Sequence, residues 1–161
     1  MIDINFDRVD DIQHHLDKHQ YIADRALSTS LFLALKLKKP IFLEGEPGVG
    51  KTEIGKVLSK IMNTDLIRLQ CYEGLDVHNS IYEWNYSRQI LHIRMLELEG
   101  QIDRKTVTDE IFGSKFLIKR PLYQAIDYLG ELPPVLLIDE LDRADEEFEA
   151  FLLEILSEYQ I

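Results

Sequence analysis

Eight residues constrain this chain more than any others: Gly45 to Thr52, GEPGVGKT, which fit G-x-x-x-x-G-K-[ST]. The pattern carries chemistry only between a strand and a helix, and its neighbours supply both expectations. Behind Pro40, Ile41, Phe42 and Leu43 form a short apolar run of the kind a buried parallel strand shows. After the loop, Ile54, Val57, Leu58 and Ile61 recur at helical spacing. Strand, glycine loop and helix N-terminus let backbone N–H groups converge on phosphate oxygens. Gly45, Glu46, Pro47, Gly48, Val49, Gly50, Lys51, Thr52 and Glu53 are therefore the candidate nucleotide-binding residues. Lys51 would reach the β- and γ-phosphates as a catalytic cation, and Thr52 would offer its hydroxyl to Mg²⁺. A merely structural glycine turn is the competing reading, and the flanking strand and helix weigh against it.

A second motif narrows the chemistry. Val135 to Ile138 are four apolar residues running into Asp139 and Glu140, a buried strand delivering carboxylates at its C-terminal end. Ligands collect at that end of parallel α/β sheets. Asp139 is the candidate metal residue beside Thr52, holding Mg²⁺ through its water shell, and Glu140 the candidate base for an attacking water. A guanine-reading Asn-Lys-x-Asp sequence is absent from the chain. The nucleotide indicated is ATP, with Mg²⁺ as its metal. The bland alternative for Asp139-Glu140 is a strand ending in solvent.

Composition excludes several classes. Net charge is −11, which argues against a general nucleic-acid or anionic-membrane surface. From Glu131 onward there are ten acidic residues against one basic, Arg143. That imbalance fits a solvated helix face together with a metal-nucleotide site. Apolar runs are too short to span a bilayer, and the acidic N-terminus lacks the features of a secretory signal. Cys71 is the single cysteine, so no internal disulfide forms. The expectation is a cytoplasmic protein, with no nucleic acid or membrane as partner.

Along the chain, residues 7–18 suit a short polar helix carrying Val9, Ile12 and Leu16 on one side. His14, His15 and His19 lie there at a spacing that admits a metal pair, but solvated histidines are the expectation. Asp24 caps the next helix, whose apolar face holds Leu27, Leu31 and Leu35, and Pro40 ends it. Just ahead, Tyr21-Ile22-Ala23 has two open readings, an adenine platform or a helix staple. Leu66 to Cys71 alternates as a second strand. Tyr72 to Tyr86 reads as a loop whose Tyr82, Trp84 and Tyr86 either pack in the core or face a pore. Helical spacing covers 88–99 and 117–129, with 101–114 a surface insertion and Gly130 a stop. A final helix carries Phe148, Phe151, Leu152, Ile155, Leu156 and Tyr159 on one face.

Together, FLEGEPGVGKTEIGKVL, LIRLQCYEGLDV, IYEWNYSRQIL and LLIDELDRADEEFEAFLLEILSEYQ resemble the MoxR branch of AAA+ ATPases, and more narrowly its CoxD-like members. The resemblance covers roughly residues 20 to 161. It implies a three-layer α/β/α P-loop NTPase fold with a parallel sheet, and an ATP-driven ring chaperone, usually a hexameric homo-oligomer. The implied client is a protein, a metalloenzyme of the molybdenum-hydroxylase kind that the chaperone helps to mature. By position, Gly45, Gly48, Gly50, Lys51 and Thr52 would bind phosphate and Mg²⁺, Asp139 would serve the metal and Glu140 would activate water.

In the family a further strand with a water-positioning residue, an arginine finger and a helical lid follow the acidic strand. The family's strand order is 5-1-4-3-2. The expectation is thus a partial AAA+ domain over 1–161, with 1–39 a helical lead-in and 40–161 the phosphate-loop to acidic-strand portion. Such a portion alone would bind nucleotide weakly and hydrolyse it poorly. A non-hydrolytic nucleotide-binding scaffold is the second class, and a DNA-remodelling motor, disfavoured by the acidic surface, is the third.

Overall fold

The computed structural model describes residues 6–98 and 104–158. In chain order these form α1 (Val9–Lys18), α2 (Arg25–Leu37), α3 (Lys51–Met62), β1 (Leu66–Gln70), α4 (Val77–Ile81), β2 (Tyr82–Trp84), α5 (Tyr86–Leu98), α6 (Arg104–Ile111), β3 (Leu117–Lys119), α7 (Pro121–Ile126), β4 (Val135–Asp139) and α8 (Glu146–Glu158). β1 and β4 pair in parallel, from Leu66 opposite Val135 to Gln70 opposite Asp139. β2 and β3 form a separate antiparallel pair, with Trp84 opposite Leu117.

The parallel pair is covered on both faces, because successive side chains of a strand point to opposite sides. Leu137 of β4 meets α3 at Gly55, where a Cβ would stand 3.4 Å from Leu137 side-chain atoms. Leu136 and Ile138 point the other way, onto a cluster of Leu69, Cys71, Leu122, Phe148, Leu152 and Ile155. This is the expected α/β/α layering. A second cluster, Ile12, Leu16, Leu31, Ile54, Val57 and Ile61, joins α1 and α2 to the outer side of α3. Burying each such aliphatic side chain contributes roughly 1.5–3 kcal/mol.

Helix ends follow the side chains available. The Asp24 carboxylate accepts from the Leu27 N–H at 2.7 Å, as an N-cap does. Asp145 does the same for Phe148 at 2.8 Å, so it caps α8 rather than joining its first turn. α2 stops at Leu37, where Lys38 turns left-handed (φ 52°) and the Lys39 N–H returns to the Ala34 carbonyl at 2.9 Å. The stop thus precedes Pro40. His14 and His19 are exposed, and His15 lies edge-on to Phe6 with ring centroids 5.6 Å apart.

Several expectations are corrected. Ile41 to Leu43, expected as a strand, forms no ladder, because no described strand runs beside it. Its alternation survives: Ile41 and Leu43 pack on the α1–α3 cluster and Phe42 is 74% exposed. The helix expected over 117–129 is a strand and a short helix, since Leu117–Lys119 pairs with β2 and Pro121 starts α7. Proline lacks an N–H and suits a helix's first turn but not its interior. Leu122 is fully buried, whereas Leu129, beyond the helix end, is 93% exposed.

The stretch expected as a loop over 72–86 holds α4 and β2, and the insertion holds α6. Residues 99–103 and Tyr159 lie outside the described residues. Val135–Asp139, expected as buried, is half-buried along its length, with β1 its one ladder partner among the described strands.

Gly55 sets the spacing between α3 and β4. A single added methyl fits at ordinary contact distance, and branching beyond it would overlap Leu137. Gly55→Ala is expected to leave stability equal or raise it by up to about 1 kcal/mol through helix propensity. Gly55→Val is expected to lower it by about 1–3 kcal/mol through overpacking. Urea midpoints for the two variants check this, and indistinguishable midpoints would refute the packing argument.

Candidate functional site

The glycine loop takes the backbone conformations its composition permits. Gly48 (φ 85°) and Gly50 (φ 91°) are left-handed, a region other residues enter at a cost. Gly50 caps α3: its carbonyl accepts from the Glu53 N–H at 3.1 Å and the Ile54 N–H at 3.3 Å. The N–H groups of Lys51 and Thr52 precede those first bonds, at the positive end of the helix dipole. The Lys51 ammonium lies across the loop, donating to the carbonyls of Gly45 (2.5 Å) and Glu46 (2.8 Å). Residues 45–49 are exposed, Val49 by 61%.

Tyr21 supports this loop. Its hydroxyl donates to the Gly50 carbonyl at 3.4 Å, and its ring would lie 3.5 Å from a Cβ at position 50. Burial raises the Tyr21 pKa, so the phenol stays a donor. Its neighbours diverge, with Ala23 buried and Ile22 94% exposed. Glu53 turns away from the loop to pair with Lys56 at 2.7 Å, and that hydrogen bond lowers its pKa.

In the first turn of α3, the Thr52 hydroxyl donates to Asp139, 3.1 Å from Oδ2 and 3.3 Å from Oδ1. The contact joins the glycine loop to the acidic strand, so the structure brings together the two motifs read separately from the sequence. A third group shares the carboxylate. Arg68 of β1 donates from Nη2 to Asp139 Oδ2 at 2.6 Å and to Gln70 Oε1 at 2.5 Å. No sequence motif marks Arg68. The signal was present, since Arg68 and Gln70 are the polar positions of the alternation LIRLQC and so share a strand face.

Glu140 departs from the strand line. It is left-handed (φ 55°), precedes the 3₁₀ turn Leu141–Arg143, and pairs with Arg143 Nε at 2.9 Å. Loop and Glu140 are thus not joined by any hydrogen bond among the described residues. Trp84 lies edge-on to Tyr82 and Phe112 (centroids 6.1 and 5.5 Å), half-buried, while Tyr86 is 64% exposed.

A hydroxyl and a carboxylate oxygen at a helix N-terminus are hard donors of the kind Mg²⁺ takes alongside phosphate and water. Among the described residues, no group of three His, Cys, Asp or Glu side chains could hold a metal by itself. The donor set therefore fits a metal carried with a phosphate ligand rather than an all-protein site.

A glycine loop at a helix N-terminus, tied to the acidic end of a parallel strand, defines a P-loop nucleotide-binding α/β domain. Residues 40–161 match the AAA domain family of the dynein-related subfamily, and the chain belongs to that family. It is an AAA ATPase domain, of a family that binds ATP, typically with Mg²⁺, and assembles into rings. No solved structure matches the chain. Among the described residues no helix is long and apolar enough to cross a membrane.

Cys71, directly after β1, sits behind the acidic residues. Its thiol is fully buried, and burial first, then the charges of Asp139, Asp142 and Glu140, push its pKa from 9.0 up to about 11. At pH 8 that leaves about a hundredfold less thiolate than the ordinary thiol has. Alkylation of Cys71 in the native chain is accordingly expected to be at least that much slower than in urea. Equal rates, followed by mass spectrometry, would show an open thiol.

Proposed function

We propose that the chain is the nucleotide module of a MoxR-type, CoxD-like AAA+ chaperone, which uses ATP hydrolysis to mature a metalloenzyme client of the molybdenum-hydroxylase kind. The observation carrying the nucleotide part is the Thr52–Asp139 contact, which sets a hydroxyl and a carboxylate together beside the phosphate loop. Residues 45–53 are the nucleotide-binding set, with Lys51 as the cation facing phosphate and Thr52 and Asp139 as the residues that would hold Mg²⁺. Bound there, the metal would neutralise charge on the β- and γ-phosphates. Glu140 is the proposed base, accepting a proton from the attacking water at its carboxylate. The client reading rests on the four sequence segments, and the charge of −11 favours a protein partner over a nucleic acid. The module is proposed to work as a homo-oligomeric ring in the cytoplasm, residues 1–39 serving as its helical lead-in.

A second reading, a nucleotide-binding scaffold with little turnover, has one observation in its favour. One oxygen of the Glu140 carboxylate, Oε2, is engaged by Arg143 at 2.9 Å, which competes with an attacking water for that group. Two substitutions separate the readings. Lys51→Ala is expected to weaken binding of a fluorescent ATP analogue by about tenfold or more, the loss of a charge-assisted contact. Glu140→Gln is expected to keep that binding and lower turnover by about a hundredfold. Turnover unchanged by Glu140→Gln would refute the base assignment, negligible turnover in the wild type as well would favour the scaffold, and unchanged binding in Lys51→Ala would remove the phosphate assignment. For the client, cells lacking the chain are expected to yield a molybdenum hydroxylase deficient in metal, and full metal content would refute that part.

A further inference from the structure

Asp139 carries more positive company than a metal residue needs. Its side chain is 17% exposed, and a carboxylate so covered requires compensation. Arg68 provides it at 2.6 Å, on Oδ2, the oxygen nearer the Thr52 hydroxyl. A guanidinium and a divalent cation on one carboxylate oxygen repel each other, so the two compete for that position. Arg68 has somewhere to go. Its side chain is half exposed, and Gln70, opposite Asp139 in the ladder, already accepts from the same Nη2 at 2.5 Å.

We propose that Arg68 is a positioning residue that holds Asp139 in the metal-free protein and must release Oδ2 before a divalent cation can engage it. The exchange sets the metal concentration at which the site is assembled. It also keeps the Asp139 carboxylate turned toward Thr52 while no metal is bound. This inference rests on the assignment of Asp139 as a metal residue.

The test is a Mg²⁺ titration of fluorescent ATP-analogue binding to the whole chain, comparing the wild type with Arg68→Met, Arg68→Lys and Asp139→Asn. Methionine keeps an apolar stem and removes the charge, so the Mg²⁺ midpoint is expected to fall about fivefold, the worth of a half-exposed ion pair. Lysine retains the charge but not the planar fork, and its midpoint is expected between the two. A purely structural Arg68 would lower the melting temperature in Arg68→Met and leave the midpoint where it was, which overturns the proposal. Should Arg68→Met not fold, Arg68→Gln is read by the same criterion. Asp139→Asn separates the two levels. A raised midpoint there with none lowered at position 68 sinks the Arg68 proposal alone. A midpoint equal to wild type in Asp139→Asn removes the metal assignment and the Arg68 proposal with it.

Discussion

The close approach of α3 to β4 is the constraint on which the site depends. Gly55 lets the helix backbone settle against Leu137, and one turn earlier Thr52 then reaches Asp139 across 87 positions of sequence. The hydrogen bond itself contributes modestly, about 1.5–3 kcal/mol for a charged acceptor. Its importance is geometric. It ties the end of the glycine loop to the end of the acidic strand and so sets their relative position.

Charge around that contact is arranged rather than merely abundant. The segment after Glu131 is strongly acidic, yet its most covered carboxylate, Asp139, is met by Arg68 and Thr52. Glu140, more exposed, is met by Arg143. The Cys71 thiol lies behind both acids and is held neutral by burial and by their charge. Lys51 rests on the loop carbonyls of Gly45 and Glu46 rather than on any of these acids. A phosphate chain with a divalent cation is the ligand that a lysine at the loop and a carboxylate at the strand end fit, since it presents negative oxygen to the one and positive charge to the other.

Elements are legible in the sequence where a local rule has one physical solution. Asp24 before an apolar face made an N-cap, and Leu66–Gln70 and Val135–Asp139 made strands because alternation and apolar runs admitted little else. They are not legible where tertiary partners decide. Leu117–Lys119 is a strand because β2 lies beside it, and apolar spacing counted forward from there could not separate it from the helix after Pro121. Ile41–Leu43 keeps its alternation without a ladder for the complementary reason. α5 shows a third case: Gln89 is its buried residue, donating to the Ile111 carbonyl at 2.6 Å, while Ile90, Leu91, Met95 and Leu98 are exposed. Hydrophobicity alone would have buried the opposite face.

By itself, the sequence determined the phosphate loop, the acidic strand and their order, because G-x-x-x-x-G-K-[ST] and an apolar run ending in carboxylates are local patterns with local physical causes. Tertiary structure alone decided which side chains share the Asp139 carboxylate. Arg68 and Thr52 converge there because parallel pairing of β1 with β4 and the seating of α3 on Leu137 bring three separate segments to one edge. Tertiary structure also separated Asp139 from Glu140, adjacent in sequence. The left-handed turn at Glu140 sends one carboxylate to Thr52 and the other to Arg143.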